Sequence, residues 1–117
     1  MATKQRDDAI AETPLTPATF QLMLALSPGP THGYELMKRV ASITKERTLL
    51  GPGTLYRSLQ QMLVRDFIEE LNPARAAVAD ARRKVYRLTK FGRAVAAEEA
   101  SRLADLVREA RRSGLVR

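Results

Sequence analysis

The stretch GPGTLYRSLQQMLVRD, residues 51–66, decides the fold of this chain. Its proline, at position 52, fits the first turn of a helix, where a missing N–H costs little. Four apolar residues then recur at helical spacing on one face: Leu55, Leu59, Met62 and Leu63. The pattern predicts an amphipathic helix that packs this apolar face against a core.

The opposite face of this helix lacks any carboxylate until Asp66. Its side chains are Thr54, Arg57, Gln60, Gln61 and Val64. Hydroxyl, amide and guanidinium groups can bond to base edges and phosphates without repelling a polyanion. A merely solvated face is the alternative, but such faces usually mix glutamate with lysine. We therefore expect a DNA-reading helix in which Arg57 contacts guanine and Gln60 and Gln61 can pair with adenine.

The net charge also favours a polyanionic partner. The 117 residues include 20 Lys and Arg and 13 Asp and Glu, a formal net charge of +7. Residues 14–90 carry +6, residues 1–13 carry −1 and residues 91–117 carry +2. The positive excess thus lies mainly in the middle of the chain. Charge alone does not distinguish nucleic acid from anionic lipid.

The composition argues against several other classes of protein. The chain has no cysteine and one histidine, so no disulfide, thiolate site or histidine-rich metal site is expected. It shows no nucleophile–base pair, metal-ligand cluster or glycine-rich phosphate loop, so we expect no catalytic residue, metal or cofactor. It has no apolar run of membrane-spanning length and no signal-peptide core, so no membrane association and a cytoplasmic location are expected.

Two helices are predicted before residue 51. Thr16 and Pro17 are typical of the cap and first residue of a helix, here a largely apolar one, and the motif SPGPTHG at 27–33 predicts a turn. Thr31 can cap a second helix that runs to about Ile43. Its predicted buried stripe is Leu36, Met37, Val40 and Ile43. With the helix after residue 51, this arrangement is typical of a helix-turn-helix.

A β-hairpin, or wing, is predicted after Asp66, where the periodicity changes. Residues 67–71 and 85–88 have the character of short strands and bracket a loop. The basic residues on the C-terminal side of that loop are Arg82, Arg83 and Lys84. The alternative is a helical turn over the alanine-rich residues 74–82, with a basic triplet that is only solvated.

A long helix is predicted from Thr89 to about Arg112, with Gly114 as its stop signal. Small and apolar residues recur along it in an a/d pattern, which we call the seam: Ala96, Ala100, Leu103, Leu106, Val107 and Ala110. We expect the seam to form a dimer interface. The alternative is that the helix folds back on its own domain.

Three motifs resemble the PadR family of winged helix-turn-helix transcriptional regulators: HGYEL at 32–36, PGTLYRSL at 52–59 and YRLTKFGR at 86–93. The resemblance extends over about residues 15–112 and is to members with a short C-terminal region. It implies a homodimer in which the C-terminal helix packs against the partner's N-terminal helix and DNA-binding domain.

The resemblance also implies which residues contact double-stranded DNA. By motif, Tyr34, Thr54, Tyr56 and Arg57 lie against DNA. The basic wing residues Arg82, Arg83 and Lys84 match by location alone. The family usually has glycine where Asp66 stands, and aspartate in a turn can adopt the left-handed conformation at modest cost.

The sequence thus predicts a mainly α protein, a winged helix-turn-helix domain with a long C-terminal dimerisation helix. We expect a flexible arm, or at most a short helical turn, at residues 1–13, the DNA-binding domain at 14–89 and the dimerisation helix at 90–117. The expected function is sequence-specific transcriptional regulation, as a repressor that binds a near-palindromic operator as a homodimer. The sequence identifies no small-molecule effector. The alternative is a winged-helix module that binds another protein through its C-terminal helix.

Overall fold

The computed structural model describes residues 2–71 and 84–117. Within these ranges the chain forms five helices and a small sheet of three strands. The elements are α1 (Ala2–Ala11), α2 (Pro17–Leu26), β1 (Thr31–His32), α3 (Gly33–Ile43), α4 (Pro52–Val64), β2 (Ile68–Leu71), β3 (Val85–Leu88) and α5 (Lys90–Arg112). This order confirms the predicted fold class. The predicted wing loop, with Arg82 and Arg83, lies outside the described residues.

Helix α2 forms the centre of the core, as its apolar sequence predicted. Thr16 caps it by accepting a hydrogen bond from the Thr19 N–H at 3.2 Å. Its fully buried side chains are Leu22, Met23, Ala25 and Leu26. Helix α3 is tied to its end because Arg39 Nη1 donates to the Ala25 carbonyl at 2.9 Å.

The start of α3 differs from the prediction. Thr31 does not cap the helix; it lies in β1, opposite Tyr86 of β3. His32 is the cap, and its Nδ1 accepts a hydrogen bond from the Glu35 N–H at 3.3 Å. The strand pairing continues through residue 32, so the last extended residue before the helix is the histidine.

The buried stripe of α3 is shorter than expected. Leu36 and Val40 are fully buried and Met37 partly so, but Ile43 is 45% exposed. Ile43 is the last residue of the helix. The periodic pattern places it on the correct face, but the core no longer extends that far along the helix axis.

A tight turn joins α4 to the wing. Asp66 has φ 63°, the left-handed conformation that an aspartate can adopt in place of the family's usual glycine. The Phe67 N–H donates to the Met62 carbonyl at 2.9 Å, and the Phe67 side chain is fully buried. Strand β2 then pairs antiparallel with β3, and β1 occupies the other edge of β3. The predicted pairing of the two hairpin strands is confirmed.

Helix α5 begins against the backbone of this turn. Thr89 Oγ1 donates to the Asp66 carbonyl at 2.6 Å and accepts from the Gly92 N–H at 2.8 Å. The Thr89 N–H donates to the Phe67 carbonyl at 3.0 Å. A Cβ atom at Gly92 would lie 1.9 Å from the same carbonyl oxygen. Position 92 therefore has no space for a side chain.

The N-terminal residues correct the expectation of an arm. Ala2–Ala11 form a ten-residue helix. Its Ala9 is fully buried, and Arg6 Nε lies 3.3 Å from Glu98 Oε2 of α5. Because this contact is made through a small alanine and an ion pair, α1 needs no run of large apolar residues, and the sequence shows none.

Helix α5 packs on its own domain with its first half. Its buried residues there are Gly92, Val95 and Glu99. Glu99 accepts hydrogen bonds from Arg102 Nε at 2.9 Å and Nη2 at 2.8 Å. These bonds hold the pKa of the Glu99 carboxyl below its ordinary value, although burial acts in the opposite direction. A buried carboxylate is thus kept charged and paired at the point where α5 leaves the domain.

The seam is divided between a covered and an exposed part. Ala96 and Leu103 are partly buried, whereas Leu106 is 55% exposed and Val107 is 44% exposed. Ala100 is exposed and Ala110 is intermediate. The alternative in which α5 folds back on its own domain therefore describes its first half but not its second.

We predict that Gly92→Ala lowers the free energy of unfolding by at least about 2 kcal/mol, because the new Cβ must displace the Phe67 backbone. Alanine's better helix propensity, worth about 1 kcal/mol, would act against this loss. Urea denaturation followed by circular dichroism measures the free energy of unfolding of both proteins.

The matched control is Gly53→Ala, a helical glycine whose added Cβ would meet nothing within 4 Å. It should be neutral or slightly stabilising. A Gly92→Ala variant as stable as the wild type would contradict the close approach of α5 to Phe67.

Candidate nucleic-acid interface

The outward face of α4 is set by the core beneath it. Leu55, Leu59 and Met62 are buried and Leu63 is partly buried, so the helix is held on one side. The structure leaves exposed the five residues that the sequence placed on the opposite face: Thr54, Arg57, Gln60, Gln61 and Val64. These side chains therefore form one continuous surface along the helix.

This surface can accept a polyanion. The helix Pro52–Val64 contains no acidic residue. Within the described parts of the chain, no carboxylate forms an ion pair with Arg57. Its guanidinium is exposed and keeps its five donors for an external acceptor.

The N-terminus of α4 adds backbone donors that the sequence analysis did not consider. Gly51 is the N-cap and makes no side-chain cap bond, and residues 51–54 are all exposed. The N–H groups of Gly53 and Thr54 thus lack a side-chain partner at the positive end of the helix, which favours a phosphate. The signal was present in the sequence as GPG where Ser, Thr, Asp or Asn usually stands.

Tyr56 lies at the edge of the surface and not at its centre. It is partly buried against the core. A Cβ on Gly33 would lie 3.1 Å from its hydroxyl oxygen, so the ring packs directly on the first turn of α3. Tyr56 also lies close to Tyr86. The pKa of the Tyr86 hydroxyl is raised above its ordinary value, mainly by burial, and the Glu70 carboxylate and Tyr56 raise it further. Tyr56 therefore spaces α4 from α3, and only its exposed edge is left for a ligand.

Tyr34 begins the neighbouring surface on α3. It is 54% exposed, and Lys38 Nζ lies 5.4 Å from its ring centroid. It follows Gly33, on which Tyr56 packs, so the start of α3 borders the start of α4. The structure thus brings Tyr34 to the margin of the α4 surface with a cation beside it.

The two strands of the wing carry less unpaired positive charge than the sequence suggested. Lys84 Nζ lies 3.5 Å from Glu70 Oε1, and Arg87 forms an ion pair with Glu69 across the two strands. The charge of Lys84 is therefore partly offset by Glu70, which weakens what it offers to a phosphate.

Arg65 is a basic residue of this region that is directed elsewhere. It caps the C-terminal end of α4. Its Nη2 lies 2.6 Å from Glu12 Oε1, its Nε lies 3.1 Å from the same oxygen, and the guanidinium lies 4.4 Å from the Phe67 ring centroid. The segment that follows α1 thus engages the Arg65 guanidinium, although the Arg65 side chain still lines one shallow depression with Gln60, Gln61 and Val64.

The described ranges contain neither a membrane-spanning helix nor a candidate metal site. No helix in residues 2–71 and 84–117 is long and apolar enough to cross a bilayer. In the same ranges, no group of three or more His, Asp or Glu side chains is placed to hold a metal ion.

Comparison with known proteins identifies the family of the chain. The model of the transcriptional regulator PadR-like family matches residues 22–98. No curated protein sequence matches the chain.

Several solved structures are similar to the chain. A transcriptional regulator from Clostridium thermocellum is 19% identical with TM-score 0.65, over 84% of this chain and 92% of that one. A regulator from Thermoplasma acidophilum is 27% identical with TM-score 0.60, over 83% and 88%. RosR of H. salinarum is 17% identical with TM-score 0.60, over 87% and 98%. At such low identity, the first and third similarities show the fold alone.

We predict that Arg57→Ala weakens binding to a specific duplex by about 1–3 kcal/mol, the discrimination of one bidentate guanine contact. Binding to an unrelated duplex should change much less, because phosphate contacts dominate it. Fluorescence anisotropy with both duplexes measures the two losses.

Arg108→Ala is the control, because Arg108 is exposed on α5 and pairs with Asp105, away from α4. It should leave both affinities unchanged. Equal losses on both duplexes for Arg57→Ala would mean that Arg57 contacts phosphate and not a base.

Proposed function

Because the chain belongs to the PadR-like family of transcriptional regulators, we propose that it binds a near-palindromic operator as a homodimer and represses transcription from it. The family makes the chain a DNA-binding transcriptional regulator and not an enzyme. The observation that carries the finer proposal is the exposed, carboxylate-free face of α4.

In this proposal, α4 enters the major groove, which is wide enough for one helix. Arg57 donates two hydrogen bonds to guanine O6 and N7. Gln60 and Gln61 each have the amide pair that matches adenine N6 and N7. These three side chains are exposed on one face, so they can reach base edges together.

A second group of residues sets the register on the DNA backbone. Thr54 and the uncapped N–H groups at the start of α4 would together bind one phosphate, which the exposed, positive end of the helix favours. The exposed Tyr34 hydroxyl and the exposed edge of Tyr56 border the same surface and would contact phosphates beside it. The wing residues Arg82, Arg83 and Lys84 would contact the backbone or the adjoining minor groove.

The homodimer would form through the seam on α5. Leu106 and Val107 expose apolar surface in a single chain, which favours burial against a partner. Ala96, Ala100 and Ala110 would allow close approach, and Leu103 lies at the centre of the set. The a/d spacing is the pattern of helices that pack along their length.

Two α4 helices related by a two-fold axis would enter successive major grooves about one turn apart. The operator should therefore have two inverted half-sites about 10 base pairs apart. A dimer bound there would exclude RNA polymerase from an overlapping promoter. The winged helix and α5 are sufficient for that steric mechanism, which would operate in the cytoplasm, where bacterial or archaeal DNA lies.

We predict that Leu103→Asp dissociates the dimer, because it places a carboxylate in the middle of an apolar contact. Analytical ultracentrifugation should give the mass of one chain. The variant should bind a single half-site about as well as wild-type monomer would, but should lose tight binding to the full operator and repression of a reporter promoter.

Leu115→Asp is the matched control, since Leu115 is exposed beyond the end of α5. It should remain dimeric and repress normally. An unchanged dimer mass for Leu103→Asp would exclude the seam as the interface.

A further inference from the structure

Val64 is an apolar side chain without an evident structural role. It is 78% exposed, whereas Leu55, Leu59 and Met62 of the same helix are at most 1% exposed. As a β-branched residue it is also a poorer helix former than alanine or leucine. Neither the core nor the stability of α4 explains a valine at this position.

Its place on the helix aligns it with Arg57. Seven residues at 3.6 per turn bring Val64 to within about 20° of the direction of Arg57, about 10.5 Å further along the axis. Both residues are exposed. A recognition helix that follows the inclined major groove advances about one base step for every three to four residues, so Val64 would lie over a base pair about two to three steps from the one that Arg57 contacts.

The neighbours of Val64 leave no unpaired charge beside it among the described residues. Arg65 lines the same shallow depression as Val64, but its guanidinium is paired with Glu12 and lies against the Phe67 ring. Gln60 and Gln61, one turn earlier, are neutral amides. Two methyl groups in this setting offer nothing to a phosphate or a polar base edge. The thymine C5-methyl group is the apolar group that the major groove presents.

We propose that Val64 contacts the C5-methyl group of one thymine in each half-site and is a specificity-determining residue of this regulator. This inference rests on the proposed function, in which α4 enters the major groove. It requires a thymine about two to three base pairs from the guanine that Arg57 contacts. A cytosine there should be disfavoured because it lacks the methyl group.

The test replaces thymine by deoxyuridine, which removes the methyl group and keeps the base pair. Each thymine of a wild-type-selected operator is changed in turn, in both half-sites together, and affinity is measured by anisotropy. At the predicted thymine, the loss per half-site should be about fourfold, the factor that corresponds to about 0.8 kcal/mol for one buried methyl group.

The Val64→Ala variant, measured on the thymine and deoxyuridine operators, completes a double-mutant cycle between the side chain and the methyl group. It should bind the thymine operator about fourfold more weakly than the wild type per half-site, or about sixteenfold for the dimer on both half-sites, and should no longer distinguish thymine from deoxyuridine. Its thermal melting should match the wild type, because the side chain is exposed. Leu115→Ala, which removes another exposed apolar side chain, should keep the wild-type preference for the methyl group.

Two results would overturn the inference and leave the regulator proposal intact. One is specific, salt-sensitive binding that no thymine-to-deoxyuridine change weakens. The other is an equal loss in the wild type and in Val64→Ala. If the wild type shows no specific DNA binding at all, the proposed function fails, and the inference fails with it.

Discussion

The contact between Gly92 and the backbone of Phe67 is the constraint on which the rest of the structure depends. The Phe67 carbonyl accepts from the Thr89 N–H at 3.0 Å, and the absence of a side chain at Gly92 lets α5 lie directly against it. The Phe67 ring fills the core, and the Phe67 N–H binds the last turn of α4 at the Met62 carbonyl. One residue thus joins α4, the wing and the long C-terminal helix α5.

The orientation of both surfaces follows from that junction. With its apolar residues in the core, α4 must turn its polar face outward. With its first half on the domain, α5 must extend its second half, including Leu106 and Val107, beyond it. The pairing of Glu12 with Arg65 adds a further tie, because it connects the segment after α1 to the end of α4. Helix α1 also packs on α5. A change in the angle of α5 would therefore shift α1 and, through the Glu12–Arg65 pair, the end of α4.

Local patterns in the sequence predicted the features that depend on neighbouring residues. The limits and outward face of α4 and the Thr16 and Thr89 caps are confirmed. Features set by distant contacts could not be predicted in this way. Helix α1 depends on packing against α5 through small residues. The tie between Glu12 and Arg65 spans 53 positions. The histidine cap of α3 depends on the pairing of β1 with β3. The exposure of Ile43 depends on where the core ends along α3.

DNA reading by the α4 surface is best tested by selecting bound duplexes from a random DNA pool and then measuring affinity at two salt concentrations. We expect an enriched near-palindromic site with half-sites about 10 base pairs apart, and an affinity that falls steeply as salt rises, because protein binding releases counterions from the phosphates. A pool without enrichment, bound weakly at every salt concentration, would contradict the claim that the α4 surface reads DNA. The protein-binding alternative for the C-terminal helix would then take its place.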